Sequence, residues 1–173
     1  SIVELVESSA ESGSHLIDGA DRILGELVSD DRAVVAATNG LAKYQLPVLR
    51  ALGLDKLFDE VLTPDETRVL KNSRAFYGQW PVNSELQTIV GDDLEWDIDA
   101  PQRLGFKAIL KNGKQSHAET PEPFYAVSAS IQPDAVIDSL DELPQIVGRL
   151  EDEVLSDPNR KRKGWWNVPR KQP

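Results

Sequence analysis

Short apolar runs alternate along this chain with helix-length amphipathic stretches, and that alternation limits the fold more than any other feature. Ala33-Val34-Val35-Ala36-Ala37 is continuously apolar, as strands buried on both faces of a parallel sheet are. Glu60 to Thr63, residues 87–90, Phe106 to Leu110 and Ala135-Val136-Ile137 read as further strands. Ala20, Ile23, Leu24, Leu27 and Val28 fall at helical spacing, so residues 19–29 are expected to be a helix with one buried face. Asp18 is its expected N-cap, with Asp21 three residues on in the manner of a capping box. More helices are expected over 41–52, shortened or kinked by Pro47 and ended by Gly53, over 72–80 and over 94–104. A closing helix starts at Ser139 and Glu142 and reaches Leu155. The pattern gives an α/β fold with a parallel sheet. Right-handed crossovers then put every strand-to-helix junction on one rim, which gathers Thr38, Thr63 and Asp92 there.

The chain has 173 residues, enough for one domain with a real core. Its 28% charged and 40% apolar residues are a globular balance. No apolar run approaches ~18 residues, so no membrane span is expected. There is no cysteine, which removes thiol nucleophiles and cysteine-held zinc and fits a cytoplasmic setting. His15 and His117 are the only imidazoles, too few for a multi-histidine metal site. The chain opens on Ser1 and contains no Met, which reads as a processed chain or a fragment. Six of the 19 Lys and Arg residues lie in 160–173, leaving 13 bases against 29 acids, a net of −16, in residues 1–159. Phosphate-backbone binding rests on cations, and this acidic body argues against a nucleic-acid partner. It suits an enzyme that handles a small anion through a metal.

Thr88-Ile89-Val90-Gly91-Asp92-Asp93, followed by Asp97, is the centre of the rim. Carboxylates at the C-terminal end of a strand sit where open α/β sheets bind ligands, and a hard cation such as Mg²⁺ relieves their repulsion. The plainer reading is an acidic helix start with Asp93 as N-cap. Thr38-Asn39-Gly40 offers a hydroxyl and backbone N–H groups at a helix N-terminus, a seat for phosphate oxygens or an ordinary turn. Lys71 precedes a helix, where a cation opposes the dipole; it reads as a surface lysine or as the neighbour of an anion.

The order Thr38-Asn39-Gly40, then Lys71, then Gly91-Asp92-Asp93 with Asp97 resembles the second, third and fourth motifs of the haloacid dehalogenase-like (HAD) phosphohydrolases. Leu16-Ile17-Asp18-Gly19-Ala20 is similar to the family's entry into the core after the cap. Ala51-Leu52-Gly53-Leu54 and Leu57-Phe58-Asp59 are similar to the turn before its third strand. Gly105-Phe106-Lys107-Ala108-Ile109 and Asp138-Ser139-Leu140-Asp141-Glu142-Leu143 are similar to its last two strands. The resemblance covers residues 15–150. Receiver domains use similar residues in another order, with the acidic pair first and the Lys last. Gly-Asp at the fourth motif is similar to the metal-dependent phosphatases and not to the metal-free dehalogenases.

The resemblance implies a Rossmann-like sheet with flanking helices and a two-step transfer through a phosphoaspartyl intermediate. It implies that Asp92 binds Mg²⁺, that Asp97 supports the metal, and that Asp93 stands behind them or caps the helix. Thr38, with Asn39 and Gly40, holds the phosphoryl oxygens, and Lys71 neutralises charge between nucleophile and phosphate. A small phosphorylated metabolite is the implied substrate. Several features depart from the family. Lys71 is followed by Asn72-Ser73 in place of a Pro-containing stretch, Trp96 and Pro101 are unusual, and Phe76 to Thr88 is short. No apolar strand ending Asp-x-Asp precedes Thr38, and Asp97-Ile98-Asp99 has the letters inside a helix. The first central strand and its nucleophile are therefore missing, so the chain is expected to be inactive alone. The alternative is a non-catalytic binding or regulatory module of the same fold. Without that strand, 33–37 and 87–90 are expected to pair directly, or the chain to be marginally stable. The expected division is 1–14 as the end of a cap or linker, 15–156 as the core and 157–173 as a basic tail. The tail's Arg160-Lys161-Arg162-Lys163-Gly164-Trp165-Trp166 is expected to dock on the acidic body.

Overall fold

In a computed structural model of the chain, which describes residues 16–30, 32–78, 80, 86–112 and 131–157, the expected alternation is present. In order come α1 (Ala20–Ser29), β1 (Val35–Ala37), α2 (Ala42–Ala51), β2 (Glu60–Leu62) and the short α3 (Pro64–Thr67). β3 (Thr88–Gly91) leads into a π-helix, Leu94–Asp99, that continues as α4 (Ala100–Arg103). β4 (Lys107–Lys111), β5 (Ala135–Ile137) and α5 (Leu143–Leu155) follow. The terminal segments 1–14 and 158–173, both histidines and the docked-tail expectation lie outside the described residues. Among the described residues no helix is long and apolar enough to cross a membrane.

All the described strand pairs are parallel. β1 pairs with β2 in register Ala36 to Val61, and β4 lies between β3 and β5 with Ile89 opposite Ala108 and Leu110 opposite Val136. The expected direct pairing of 33–37 with 87–90 does not occur: the strands form a two-stranded and a three-stranded sheet. Both sheets nevertheless belong to one layer. Successive strand residues face opposite ways, and each sheet contributes one face to each of two cores. Val34 and Val90 pack with Ile23, Leu27, Ile109, Ile137, Val147 and Leu150 beneath α1 and α5. Val35, Ala37 and Ile89 pack with Leu62, Phe76, Tyr77 and Phe106 on the other side. Side-chain packing joins the sheets where no backbone ladder does.

Local chemistry explains most boundaries and several corrections. Asp18 does not cap α1; Gly19 takes that place in a left-handed conformation (φ 74°), which glycine adopts without a Cβ penalty. Gly53 (φ 70°) ends α2, with the Leu54 N–H donating back to the Leu49 carbonyl, and Pro47 is accommodated inside that helix. The Ser139 and Glu142 capping box forms, on a 3-10 turn (Leu140–Glu142) that opens α5. The helix expected over 72–80 shrinks to one 3-10 turn, Arg74–Tyr77, capped by Ser73 and ended at Gly78 (φ 48°). Its Phe76 and Tyr77 are both buried in the second core, so apolar anchoring holds this segment where helix length does not.

Candidate active site

The expected rim forms across the boundary between the two sheets. On the β1 side, the Thr38 hydroxyl accepts the Gly40 N–H at 3.0 Å and so builds the turn after the strand. The Ala42 N–H at the start of α2 donates to Asp65 Oδ1 at 3.0 Å. That hydrogen bond is the main reason the Asp65 carboxyl is held below its usual range. The Gly40 N–H, one of the groups expected to meet phosphate, is thus already engaged, as is the Ala42 N–H beside it.

Lys71 is delivered by the segment after β2. Thr63 is buried at the strand end, α3 is one turn long, and Arg68 closes it in the left-handed region (φ 67°). The Thr67 hydroxyl donates to the Thr63 or Val69 carbonyl, at 3.0 and 2.9 Å, tying the loop back. The Lys71 N–H then donates to Asn39 Oδ1 at 3.1 Å, which fastens the loop to the turn after β1. Asn39 therefore contributes its side chain, a tie with no local signal in the sequence.

Lys71 is 7% exposed, and its ammonium forms an ion pair and hydrogen bond with Asp97, itself 8% exposed. The other Asp97 oxygen accepts the Asp93 N–H at 3.2 Å. Asp93 caps the π-helix, accepting the Glu95 and Trp96 N–H groups at 2.9 Å each. Gly91 is required by this packing, since a Cβ built there would overlap Asp97 Oδ2 and Cγ and lie 2.6 Å from its Cβ. Tyr77 is close by: burial and the Asp97 charge both push its phenol pKa up, and its buried hydroxyl has no hydrogen-bond partner among the described residues. A phenol in such surroundings stays neutral.

Thr38, Asn39, Gly40, Lys71, Asp93 and Asp97 thus belong to one connected rim. Asp92 lies at the same strand end, exposed to solvent. For Mg²⁺ the donor set is incomplete. The ion takes one or two carboxylates and fills its octahedron with water and substrate oxygens. Asp92 is available for that, whereas both Asp97 oxygens are engaged, and among the described residues no three Asp, Glu or His side chains gather. The residues described here do not form a magnesium site by themselves.

A HAD-hydrolase-like family model matches residues 73–143. The ribulose-1,5-bisphosphate 5-phosphatase of Halopiger xanaduensis is 29% identical over 136 residues, covering 76% of this chain and 56% of that protein. The pyrimidine 5'-nucleotidase PynA of Streptococcus pneumoniae is 30% identical over 125 residues, covering 68% of this chain and 52% of that protein. The chain thus spans about half the length of the curated relatives it matches. The HAD-hydrolase YfnB of Bacillus subtilis, solved with magnesium bound, superposes with a TM-score of 0.63 at 25% identity, over 80% of this chain and 57% of that one. A HAD phosphatase from Thermococcus onnurineus has the same fold, with a TM-score of 0.61 at 22% identity, over 77% of this chain and 58% of that one. Sequence, sheet direction and rim motifs agree on one kinship: the chain belongs to the haloacid dehalogenase-like hydrolase superfamily.

Proposed function

We propose that this chain supplies the phosphate-handling rim of a Mg²⁺-dependent phosphohydrolase that acts on a small phosphorylated metabolite in the cytoplasm. The observation that carries the reading is the linkage of three separated motifs. Lys71 bonds through its backbone to Asn39 and through its side chain to Asp97, so the second, third and fourth motifs meet. In this reading Thr38 and the Asn39 backbone hold a phosphoryl oxygen, with Gly40 shaping the turn. Lys71 offsets the charge that spreads over the transferring group. Asp93 fixes the helix start, and Asp92 faces the metal. Mg²⁺, when bound, would draw negative charge from the phosphoryl oxygens.

The nucleophile is proposed to be an aspartate on an apolar strand from outside the 173 residues, because no such strand ending Asp-x-Asp occurs within them. Its expected place is between β1 and β3, and two observations support it. Neither strand has a described backbone partner on its facing edge, and every residue of both is half-buried. The same segment would bring the carboxylates that the metal site lacks.

The test is to join an apolar strand ending Asp-x-Asp ahead of Ser1 and follow hydrolysis of p-nitrophenyl phosphate. We expect no turnover by the 173 residues alone, Mg²⁺-dependent turnover by the extended protein, and its loss in Asp92→Asn. Full activity in Asp92→Asn, or in EDTA, would remove the assignment. A second reading, a non-catalytic binding module, is favoured by the engagement of both Asp97 oxygens. Phosphate binding by the extended protein without turnover would select it.

A further inference from the structure

Gln45 belongs to none of the rim motifs, yet its side chain reaches back over one of them. It stands near the start of α2, where its backbone N–H donates to the Leu41 carbonyl at 3.1 Å. From there its carboxamide folds onto Gly40, in the turn after β1. A Cβ at position 40 would lie 2.6 Å from Gln45 Nε2, 2.9 Å from its Cδ and 3.0 Å from its Cγ. We infer that the Gln45 carboxamide is a further phosphate-binding group of this rim, donating an N–H to an oxygen of the bound phosphoryl group.

Three observations carry this. First, Gly40 makes room for the amide. Its φ lies outside the left-handed region, so backbone freedom does not call for glycine there. The close approach of Gln45 does, because a side chain at 40 would push the amide off the turn. Second, the turn is short of backbone donors. The Gly40 N–H goes to the Thr38 hydroxyl and the Ala42 N–H to Asp65. A carboxamide carries two N–H donors, so Gln45 replaces what the backbone has given away. Third, the half-buried Gln45 amide has no hydrogen-bond partner among the described residues. An amide that served the fold would be bonded, as that of Gln102 is to Asp134 and to the Gln132 carbonyl. Nothing described uses the donors of Gln45, and they lie at the turn that needs them.

The inference rests on the proposed phosphate-handling role of the rim, and one titration separates the two. Inorganic phosphate is added at constant ionic strength to the isotope-labelled 173-residue chain. The backbone amides of residues 38–42 and the side-chain NH2 of Gln45 are followed by NMR. Both sets should shift together, with one dissociation constant. Gln45→Met keeps the length of the side chain and removes the donor, and it should weaken binding by about tenfold, as the loss of a hydrogen bond to a charged group does. Gly40→Ala should weaken binding in the same way by displacing the amide, and adding Gln45→Met to it should cost little more. Thermal unfolding of each variant confirms that it is folded. Should Gly40→Ala fail to fold, Gln45→Met against wild type decides. Wild-type affinity in Gln45→Met would mean that Gln45 only packs on the turn. That result, or shifts at 38–42 with none at the Gln45 NH2, would overturn the inference and leave the rim's role standing. No shift at any of these positions would remove the phosphate seat, and the inference with it.

A second readout uses the extended, active protein. Gln45→Met should raise KM for p-nitrophenyl phosphate about tenfold and leave kcat nearly unchanged, the mark of a contact made equally in ground and transition states. A lower kcat at unchanged KM would make Gln45 a positioning residue and overturn the contact. If the extended protein shows no turnover at all, the proposed function fails, and the titration still decides the role of Gln45.

Discussion

The two sheets of this protein are built from the same kind of strand and differ in how they are held. In the three-stranded sheet β4 is paired on both sides, and its Ala108 and Ile109 are fully buried. In the two-stranded sheet β1 has a described partner only in β2, and none of its residues is fully buried. Backbone ladders on both sides of β4 secure the first region, and both sheets share the α1–α5 core. The second relies on Phe76, Tyr77 and Phe106 beneath it and on side-chain ties at the rim. The candidate site lies across the boundary, with Thr38 and Asn39 from one region and Asp92, Asp93 and Asp97 from the other. Polar side chains here do two jobs, joining the halves and forming the site, so changes at the rim should report on both.

The largest expected effect comes from cutting the strut between the halves. Lys71→Met leaves Asp97 buried and unpaired and should cost about 3–5 kcal/mol in urea unfolding. The double variant Lys71→Met, Asp97→Asn should lose less than the two single variants together. Additive losses would mean that the pair does not join the regions. Next, Ile109→Ala should cost about 2–5 kcal/mol, because a fully buried side chain is removed. Val35→Ala, from the half-buried strand, should cost about 1 kcal/mol. Equal losses at the two positions would erase the difference between the regions.

Smaller effects belong to local ties in the better-paired half. Ser139→Ala removes the capping box at the start of α5 and should cost about 1 kcal/mol. Asp134 offers a pH test. Burial alone would raise its pKa, but hydrogen bonds from Lys107, the Ala108 N–H and Gln102 outweigh this and hold it below the usual range. A depressed folded pKa gives stability that is full above the unfolded value, about 3.9, and fades as pH falls through the folded value. Asp134→Asn should flatten that acid limb in an unfolding series from neutral to strongly acidic pH. An unchanged acid limb would show that Asp134 contributes nothing there.

Signals carried by neighbouring residues were legible in the sequence. The strand Ala135–Ile137, the Ser139 and Glu142 box, the Gly53 helix end and the Asp93 cap are each set by chemistry within a few positions. What distant parts of the chain decide was not. Asp18 had the right side chain for a cap, but Gly19 had the backbone freedom that the turn required. The 72–80 stretch has the letters of a helix, yet core anchoring of Phe76 and Tyr77 stops it after one turn. The candidate site residues were named by motif, whereas the Lys71–Asp97 pairing, 26 residues apart, has no local signature. A buried lysine demands an anion, and Gly91 six positions before Asp97 marks where one fits; those two facts together were the available clue.

The π-helix after β3 has one more consequence, which concerns insertions and deletions. Each residue of an α-helix advances the side-chain direction by about 100°, and a π turn holds more residues per revolution. The span Asp93 to Asp97 therefore sets a phase as well as a distance. Leu94 and Glu95 are exposed, so their identities are open to exchange, but removing either one would turn Asp97 by a full residue step off its line to Lys71. At this corner of the protein, the count of residues is under tighter constraint than the letters between them.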